Sequence, residues 1–317
     1  MTSVRASILI PTFEGEADLE RLLPALQAQR CAGGFEILAI DSDSRDATRQ
    51  LLRAHGIPVT RIERSEFGHG STRNALARAA AGSLCVFLSQ DALPAGPEFL
   101  EEILKPLEDP GVAGVQARIL PHPDQDALTR RTALDLAEAG EELALGPDDI
   151  VFNNVASAIR RKDLMETPFP ELPFGEDWAW ASAARAKGRR LAFAPRAVVF
   201  HAHCYTPNEA FRRYEIDAAF RRQVLAEEVR PGWLSVLRGI AYEVRQDLRF
   251  VRDTGASYAD LLRSPGLRAA QILGQFAGTR PWPFRPAPDF PREVLDKLAP
   301  RVGRPARSES TGAPSSR

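Results

Sequence analysis

The sequence predicts an α/β fold, with a mostly parallel β-sheet flanked by helices and a helical appendage at the C-terminus. Short apolar runs alternate with helical segments through the first third of the chain, which is the pattern of a parallel sheet built with right-handed crossovers. Beyond residue 206 this alternation gives way to long, charged helical segments. Apolar residues make up 44% of the 317 residues, so the chain can bury a sizeable core and is not globally disordered.

Four strands and three helices are predicted in the first part of the chain. The leucines at positions 19, 22, 23 and 26 recur at helical spacing, which predicts an amphipathic helix there. Glycines follow the second and third helical segments and are expected to end them. The predicted strands cover residues 6–10, 35–40, 58–63 and 83–88, and the predicted helices cover 17–29, 46–55 and 71–81.

The rest of the chain is less regular. We predict strands over 112–120, 150–159 and 191–200, and helices over 126–145 and 176–187. Pro195 lies inside the last of these strands, which indicates an edge strand or a bent one. Helices over 208–229, 233–254 and 258–276 would form the appendage, and the Arg-, Ser-, Pro- and Gly-rich tail 301–317 is predicted to be disordered.

Charge and cysteine content exclude several classes of protein. Lys and Arg number 41 and Asp and Glu number 42, a net charge of −1, which argues against a nucleic-acid partner. The three cysteines form no CxxC pair, as expected in a reducing compartment. The N-terminus lacks a signal-peptide pattern, and no apolar run approaches the roughly 18–20 residues that span a bilayer. We therefore expect a cytoplasmic protein that could still contact the inner face of the cell membrane peripherally.

Polar side chains follow three of the predicted strands. They are Thr12 and Glu14 after the first strand, Asp41 and Asp43 after the second, and Gln90 and Asp91 after the fourth. Ligands of open α/β sheets bind at the carboxyl ends of the strands, so we expect these side chains to line one crevice. Taken alone, the segment D-S-D-S-R-D-A-T over 41–48 is more typical of a capped, solvated turn, because such residues favour turns.

A glycine-rich segment, F-G-H-G-S-T-R-N over 67–74, leads into the third helix. Glycines allow close backbone approach, and the free N–H groups of a helix N-terminus attract an anion. Arg73 adds a fixed positive charge suited to a phosphate. The alternative is a flexible loop with a Ser or Thr cap. The segment is neither a Walker A loop nor a dinucleotide fingerprint, because it lacks the required spacing.

Three residues are candidate ligands of a divalent cation. Asp91 lies at a predicted strand end, where Mg²⁺ or Mn²⁺ would join one or two carboxylates to substrate oxygens. His201 and His203 close the strand 191–200, and spacing by two places both rings on one side of an extended chain. The alternatives are a turn aspartate and a pair of partly buried histidines bonded to backbone.

Glu176 and Asp177 begin a predicted helix just after a proline-rich loop. The helix dipole stabilises an ionised carboxylate at this position. Such a carboxylate can accept a proton from a sugar hydroxyl. A simple acidic cap would explain the position but not the tandem pair followed by Trp178 and Trp180.

Taken together, the motifs resemble a nucleotide-sugar glycosyltransferase of the large inverting family two, which has the GT-A fold (Rossmann-like). The matching segments, in family order within residues 4–220, are I-P-T-F-E at 10–14, D-S-D-S-R-D-A-T at 41–48, G-S-T-R-N at 70–74, S-Q-D-A at 89–92, F-G-E-D at 174–177 and H-A-H at 201–203. The variants of these motifs are similar to a rhamnosyltransferase-like subgroup that builds bacterial O-antigen or exopolysaccharide.

The resemblance implies a role for each matched residue. Pro11, Thr12 and Glu14 would line the base and ribose pocket, and Asp41 and Asp43 would bind the nucleoside. Arg73, Asn74 and Gln90 would contact the nucleotide or its phosphates. Asp91 with His201 or His203 would hold Mg²⁺ or Mn²⁺. Asp177 would be the general base, with Glu176 the less favoured choice. One departure is that Ser89 stands where the family's D-x-D motif has its first aspartate.

The resemblance further implies a dTDP- or UDP-sugar donor, with dTDP-L-rhamnose favoured, and a glycan or lipid-linked acceptor. It predicts a catalytic domain over 1–206, with a nucleotide-binding half over 1–92 and an acceptor-binding half over 93–206, and an appendage over 207–300. Two other functions stay open at this point: a sugar-1-phosphate nucleotidyltransferase, although 11–16 contain no basic residue, and a non-catalytic nucleotide-sugar binding module. The appendage could serve a homodimer, or the membrane through arginines 238, 245, 249 and 252, which flank an apolar stripe.

Overall fold

The computed structural model describes residues 4–144, 152–224 and 227–280 of the chain. Within these ranges one sheet contains the strands β1 (Ala6–Thr12), β2 (Phe35–Asp41), β3 (Val59–Arg61), β4 (Leu84–Leu88), β5 (Leu93–Pro94), β6 (Val112–Leu120), β7 (Ala156–Arg160) and β8 (Arg190–Phe200). The α-helices are α1 (Glu16–Gln27), α2 (Thr48–Ala54), α3 (His69–Ala79), α4 (Phe99–Leu104), α5 (Ala127–Ala144), α6 (Arg161–Glu166), α7 (Glu176–Ala186), α8 (Pro207–Val224), α9 (Trp233–Thr254) and α10 (Ser264–Thr279). Short 3₁₀ turns lie at Arg64–Glu66, Lys105–Glu108 and Tyr258–Leu262.

The strands follow the order β3-β2-β1-β4-β7-β6-β8-β5. The first four of these pair in parallel with one another. β7 runs antiparallel to both β4 and β6, β8 is parallel to β6, and β5 is antiparallel to β8. The prediction of a mostly parallel sheet is therefore confirmed, with the antiparallel pairings confined to the second half.

The carboxyl ends of β1, β2, β4, β6 and β8 lie at the same end of the sheet. Thr12 at the end of β1 is the partner of Asp41 at the end of β2. Leu88 at the end of β4 is the partner of Ala156, the first residue of β7. On the other side, β6 and β8 end together, at Leu120 and Phe200. The loops that follow five of the strands and the loop that precedes β7 therefore lie at the same end of the sheet. We call this end, formed by the strand termini, the edge of the sheet.

Alternating side chains of the central strands fill a core on each face of the sheet. Ile8 and Ile10 of β1 point to the face covered by α1 and α4, whereas Leu9 belongs to the cluster on the opposite face, with α3 and α7. Trp180 of α7 is fully buried in that second cluster and contacts the Phe152 and Phe169 rings. It therefore fills the core and is not available to stack on a sugar.

The differences from the predicted elements have local causes. The strand predicted over 58–63 shortens to Val59–Arg61, because a 3₁₀ turn begins at Arg64. β7 starts six residues after the predicted position 150, and residues 150 and 151 lie outside the described ranges. The two-residue β5 and the six-residue α4 and α6 are too short for a periodic signal.

Pro195 lies in a bulge of β8. The pairing with β6 jumps from Ala117–Ala194 to Arg118–Val198, so residues 195–197 are extra on the β8 side. The outer neighbour of β8 is β5, which pairs only with Val199 and Phe200. Pro195 thus needs no ladder partner for its missing N–H, and the prediction of a bent strand is confirmed.

The C-terminal helices pack closely on one another and on the rest of the molecule. Gly274 and Gly278 of α10 let its backbone approach the carbonyls of Phe211 and Glu215 on α8, where a Cβ atom would collide. Phe220 of α8 packs against the residues around the start of α7. None of the described helices is long and apolar enough to cross a membrane. The proposed tail 301–317 and residues 281–300 of the predicted appendage lie outside the described ranges.

A buried ionic network joins α5, α9 and α10. The Asp247 side chain is fully buried and accepts hydrogen bonds from Arg131 Nε at 2.6 Å, from Arg268 Nε at 2.8 Å and from the Ser264 hydroxyl. Removing one partner of such a network leaves uncompensated charge in the interior. The network therefore fixes α9 against α5, which follows β6 in the chain.

We predict that Asp247→Ala lowers the free energy of unfolding by about 3–5 kcal/mol, because it leaves the buried Arg268 guanidinium without its carboxylate and removes one of the three carboxylates that pair with Arg131. Urea unfolding followed by circular dichroism measures this change. Asp253→Ala, at an exposed ion pair with Arg252 on the same helix, should cost no more than about 1 kcal/mol. Equal effects of the two substitutions would contradict the role given to Asp247.

Candidate active site

The loops that follow β1 and β2 are hydrogen-bonded to each other. Ser44 Oγ accepts the backbone N–H of Glu14 at 2.8 Å, and Thr48 Oγ1 accepts that of Gly15 at 2.8 Å. The Asp46 carboxylate accepts the Glu16 N–H at 3.1 Å and also caps α2 through the Thr48 N–H. The alternating polar residues of 41–48 thus hold the start of α1, because they satisfy N–H groups that a helix terminus leaves unpaired.

Asp41 organises the turn after β2. Its carboxylate is fully buried and accepts bonds from Thr12 Oγ1 at 3.0 Å and from both the amide and the hydroxyl of Ser44. Arg49 lies 3.4 Å from the same carboxylate. Asp41 and Thr12 are therefore brought together at the edge, but their side-chain oxygens already form hydrogen bonds within the protein. A direct contact of either residue with a nucleoside stays a prediction.

Glu14 and Asp43 are the two non-glycine residues with positive φ in the described ranges, at 46° and 68°. Residues held in this region cost free energy and cluster at functional sites. Asp43 forms an ion pair of 2.8 Å with Arg61, and Glu14 is exposed. Pro11 is paired inside the sheet, opposite Ile40.

Arg64 was not singled out from the sequence, yet it lies at this part of the edge. Its guanidinium stacks 4.0 Å from the centre of the Phe13 ring and donates to the Ser42 hydroxyl. Phe13 is in turn fixed by Gln90, whose amide oxygen accepts the Phe13 N–H and whose amide nitrogen donates to the Phe13 carbonyl. The observed role of Gln90 is thus to tie the β4 loop to the β1 loop.

Arg73 and Asn74 occupy the first turns of α3 with different surroundings. Arg73 Nη1 lies 3.3 Å from a Glu176 carboxylate oxygen, while its buried Nε has no hydrogen-bond partner among the described residues. The Asn74 side chain donates to the Phe169 carbonyl and accepts the Phe169 N–H. Asn74 therefore anchors the loop before α7, and its contact with a nucleotide stays a prediction.

Glu176 and Asp177 are held by one residue that the sequence analysis missed. Asn154, which is buried just before β7, donates from its side chain to Glu176 at 3.2 Å and from its backbone to Asp177 at 3.0 Å. Gly175, with φ of 79°, supplies the left-handed turn that starts α7. The only sequence signal was the Asn-Asn pair that interrupts the apolar run before β7.

The Asp177 carboxyl group holds its proton more tightly than an ordinary aspartate does. Its removal from water and the nearby charge of Glu176 raise its pKa to about 6, and the N–H groups of Asn154 and Trp178 oppose this rise only in part. Arg73 also opposes it, through its positive charge. A carboxylate with a pKa in this range can both accept and release a proton near neutral pH.

Asp91, His201 and His203 form a cluster that could hold a divalent cation. One candidate ligand atom from each residue lies within 4.8 Å of those of the other two. His201 Nδ1 lies 3.3 Å from Asp91 and is buried without a well-formed hydrogen bond. Burial opposes the ionisation of Asp91, but His201 and His203 outweigh it and lower the Asp91 pKa. One carboxylate and two imidazoles fit a cation such as Mn²⁺, and Mg²⁺ would need further oxygen ligands.

The charge of Arg213 on α8 acts on one histidine near Asp91 and on one near Arg73. Its guanidinium lies 4.5 Å from the centre of the Phe174 ring. Its charge lowers the pKa of His203 beside Asp91, after the larger effects of burial and His201, and that of His69 beside Arg73, after those of burial and Arg73. No sequence pattern points to Arg213, because it is one of many arginines on a charged helix.

The predicted site residues therefore fall into three sets at the same edge of the sheet. Each set has its own hydrogen bonds or ion pairs. The first contains Pro11, Thr12, Glu14, Asp41, Asp43 and Gln90, the second contains Arg73, Asn74, Glu176 and Asp177, and the third contains Asp91, His201 and His203.

Comparison with solved structures identifies the fold. A mannosyltransferase from Pyrobaculum calidifontis in complex with GDP-Man and Mn²⁺ aligns with a TM-score of 0.57 at 19% identity, covering 86% of each chain. Glucosyl-3-phosphoglycerate synthase from Mycobacterium tuberculosis, in complex with Mn²⁺, UDP and glucosyl-3-phosphoglycerate, aligns with a TM-score of 0.51 at 21% identity, over 70% of this chain and 78% of that one. The chain has the GT-A fold, as predicted, with a helical C-terminal region.

Comparison with known sequences identifies the family. The O-antigen chain rhamnosyltransferase WbaN of Salmonella anatum is 34% identical over 66% of this chain and 69% of its own length. The O-antigen chain rhamnosyltransferase RfbN of Salmonella typhimurium is 30% identical over 67% of this chain and 70% of its own. The sequence model of glycosyl transferase family 2 matches residues 7–167. The chain is a nucleotide-sugar-dependent glycosyltransferase and belongs to glycosyl transferase family 2.

Proposed function

We propose that this enzyme transfers L-rhamnose from dTDP-L-rhamnose to a hydroxyl of a growing bacterial glycan or lipid-linked acceptor, with inversion at the anomeric carbon. The similarity to two O-antigen chain rhamnosyltransferases supports the sugar and the acceptor class. The observation that carries the mechanism is the Asp177 carboxylate, held at the same sheet edge as the Asp91 cluster.

The leaving diphosphate needs its charge neutralised. A Mg²⁺ or Mn²⁺ ion held by Asp91, His201 and His203 would supply that neutralisation. The orphaned Nδ1 of His201 supports this fit, since a buried nitrogen without a bond is costly unless something occupies it. Ser89 cannot act as the anionic ligand that an aspartate would provide, so the two histidines would complete the site.

Two arginines would add fixed positive charge beside the diphosphate. Arg73 is nearly buried at the start of α3, and its unpaired Nε leaves one donor for a phosphate oxygen. Arg213 lies 4.5 Å from the centre of the Phe174 ring, close in sequence to Glu176, and its charge lowers the pKa of His203 beside Asp91. Preorganised donors of this kind stabilise the charge that develops as the glycosidic bond breaks.

Asp177 would remove the proton from the acceptor hydroxyl as that oxygen attacks. Asn154 and the Trp178 N–H orient the carboxylate, and its raised pKa makes it a stronger base than an exposed aspartate. Attack from the side opposite the diphosphate inverts the configuration. Glu176 is less suited to the role, because it is paired with Arg73 and bonded to Asn154.

The domain boundaries and the cellular location belong to the same proposal. The catalytic domain would comprise 1–206, with the nucleotide bound by 1–92 and the acceptor by 93–206, and the helices from 207 onward would support it. We propose a cytoplasmic location, which fits the expected nucleotide-activated sugar donor.

Asp177→Asn should reduce kcat by about 10²–10⁴-fold, the usual contribution of a general base. In the native enzyme kcat/KM should fall about tenfold per pH unit below pH 6, because protonation of Asp177 removes the base. The variant should lose this dependence. Release of dTDP measured between pH 5 and 8 tests both statements.

The matched control for this experiment is Asp109→Asn, at an exposed ion pair with Arg190 near the opposite end of the sheet. It should leave kcat and the pH profile unchanged. An Asp177→Asn variant with native turnover, or with the same pH dependence as the native enzyme, would assign the base to another residue.

Donor and metal dependence can be read from thermal stability. With dTDP-L-rhamnose, UDP-glucose and GDP-mannose compared at equal concentration, we expect the first to raise Tm most, and more with Mn²⁺ or Mg²⁺ present. Saturation at a hundredfold excess over Kd corresponds to about 2.7 kcal/mol. Asp91→Asn should abolish the additional shift from the metal, whereas His55→Ala, at the residue directly after α2, should retain it. Equal shifts with all three donors would contradict the proposed specificity.

A further inference from the structure

Helix α9 exposes apolar side chains along a face that no described residue covers. Its inner side packs on α10 through Val236 and Ile240, next to Phe276. On the outer side Leu234 and Leu237 are 62% and 64% exposed. Trp233, Tyr242 and Leu248 are exposed as well. At 100° per residue, Leu234, Leu237 and Leu248 lie within about 60° of one another, so they form one continuous stripe.

The edge of this stripe is basic. Arg238, Arg245, Arg249 and Arg252 all lie on the solvent side of α9, adjacent to the leucines on the helical wheel. Within the described residues, no carboxylate pairs with Arg238, Arg245 or Arg249, and Arg252 is the exception, since it pairs with Asp253. The other acidic residues of α9 point inward, where Glu243 and Asp247 bind Arg131.

A groove of about 770 Å³ opens at the first half of the same helix. Leu234 and Tyr242 line it together with Arg230 and Arg238. Arg230 is fixed by a hydrogen bond of 2.8 Å to Gln275 and lies against Gly239, whose missing side chain makes room for it. The groove thus combines an apolar wall with two guanidinium groups and the Glu243 carboxylate, which pairs with Arg131. The two arginines suit a phosphate group attached to an acyl chain.

We infer that this face of α9 docks the enzyme onto an anionic phospholipid surface, with the helix lying parallel to the bilayer. An apolar stripe flanked by arginines is the pattern of an interfacial helix. Since α9 lacks the hydropathy of a membrane span, the leucines would enter only the headgroup boundary. The inference rests on α9 and its neighbours, and it stands independently of the proposed donor, metal and base.

Charge favours the lipid surface over a second copy of the chain. In a twofold-symmetric dimer the same patch would face itself, so the unpaired arginines would oppose one another across the interface. An anionic bilayer instead pairs each of them with a headgroup. Each arginine near such a surface raises the partition coefficient about fivefold at moderate ionic strength.

Co-sedimentation of the full chain with vesicles tests the inference. We expect binding to vesicles of three parts phosphatidylcholine to one part phosphatidylglycerol, weakening at 0.5 M NaCl, and little binding to pure phosphatidylcholine. The triple variant Arg238→Gln/Arg245→Gln/Arg249→Gln should bind about a hundredfold more weakly. The double variant Leu234→Ser/Leu237→Ser should also lose binding, because it removes the inserted apolar stripe.

The matched control is Arg53→Gln/Arg78→Gln/Lys162→Gln, which removes the same charge from exposed positions on α2, α3 and α6. It should bind vesicles within about twofold of the native protein. Unchanged Tm and donor hydrolysis would show that the α9 variants are folded. Absence of binding to anionic vesicles, an equal loss in the control, or a dimer that the Leu234→Ser/Leu237→Ser variant dissociates would overturn the inference.

Discussion

The site depends on one constraint of the sheet, the antiparallel insertion of β7 between β4 and β6. Because β7 starts where its neighbours end, the backbone that enters it crosses the edge formed by the strand termini. Asn154 lies at that crossing and bonds both carboxylates at the start of α7. A parallel strand at this position would have brought its other end to the edge and left Glu176 and Asp177 without their anchor.

The electrostatics of the edge shift the pKa values of two aspartates in opposite directions. Burial and the charge of Glu176 raise the pKa of Asp177, whereas two histidines outweigh the effect of burial and lower that of Asp91. Environments that push two carboxyl groups in opposite directions are typical of paired catalytic functions. Arg73 limits the repulsion between Glu176 and Asp177, so the buried acidic pair is tolerated in the folded protein.

Much of this arrangement could be predicted from the sequence, because it follows from local patterns. Apolar strands ending in polar residues predicted the edge that carries Asp41, Asp91 and His201, and glycine-flanked Arg73 predicted a charged helix start. Asn154 and Arg213 could not be predicted, since each acquires its role from an element distant in the chain. The hydrogen bonds of Asp41 and Asn74 could not be predicted either, since their side chains satisfy backbone and hydroxyl groups that only the folded loops bring to them.

We propose that the three sets of site residues together surround one bound nucleotide sugar, with its diphosphate between Arg73 and the Asp91 cluster. A crystal structure with dTDP and Mn²⁺, with the metal located from its anomalous scattering, tests it most directly. We expect one strong metal peak bounded by Asp91, His201 and His203, with the diphosphate reaching from the metal toward Arg73. A nucleotide bound away from this edge, or a metal whose ligands exclude all three residues, would contradict the account.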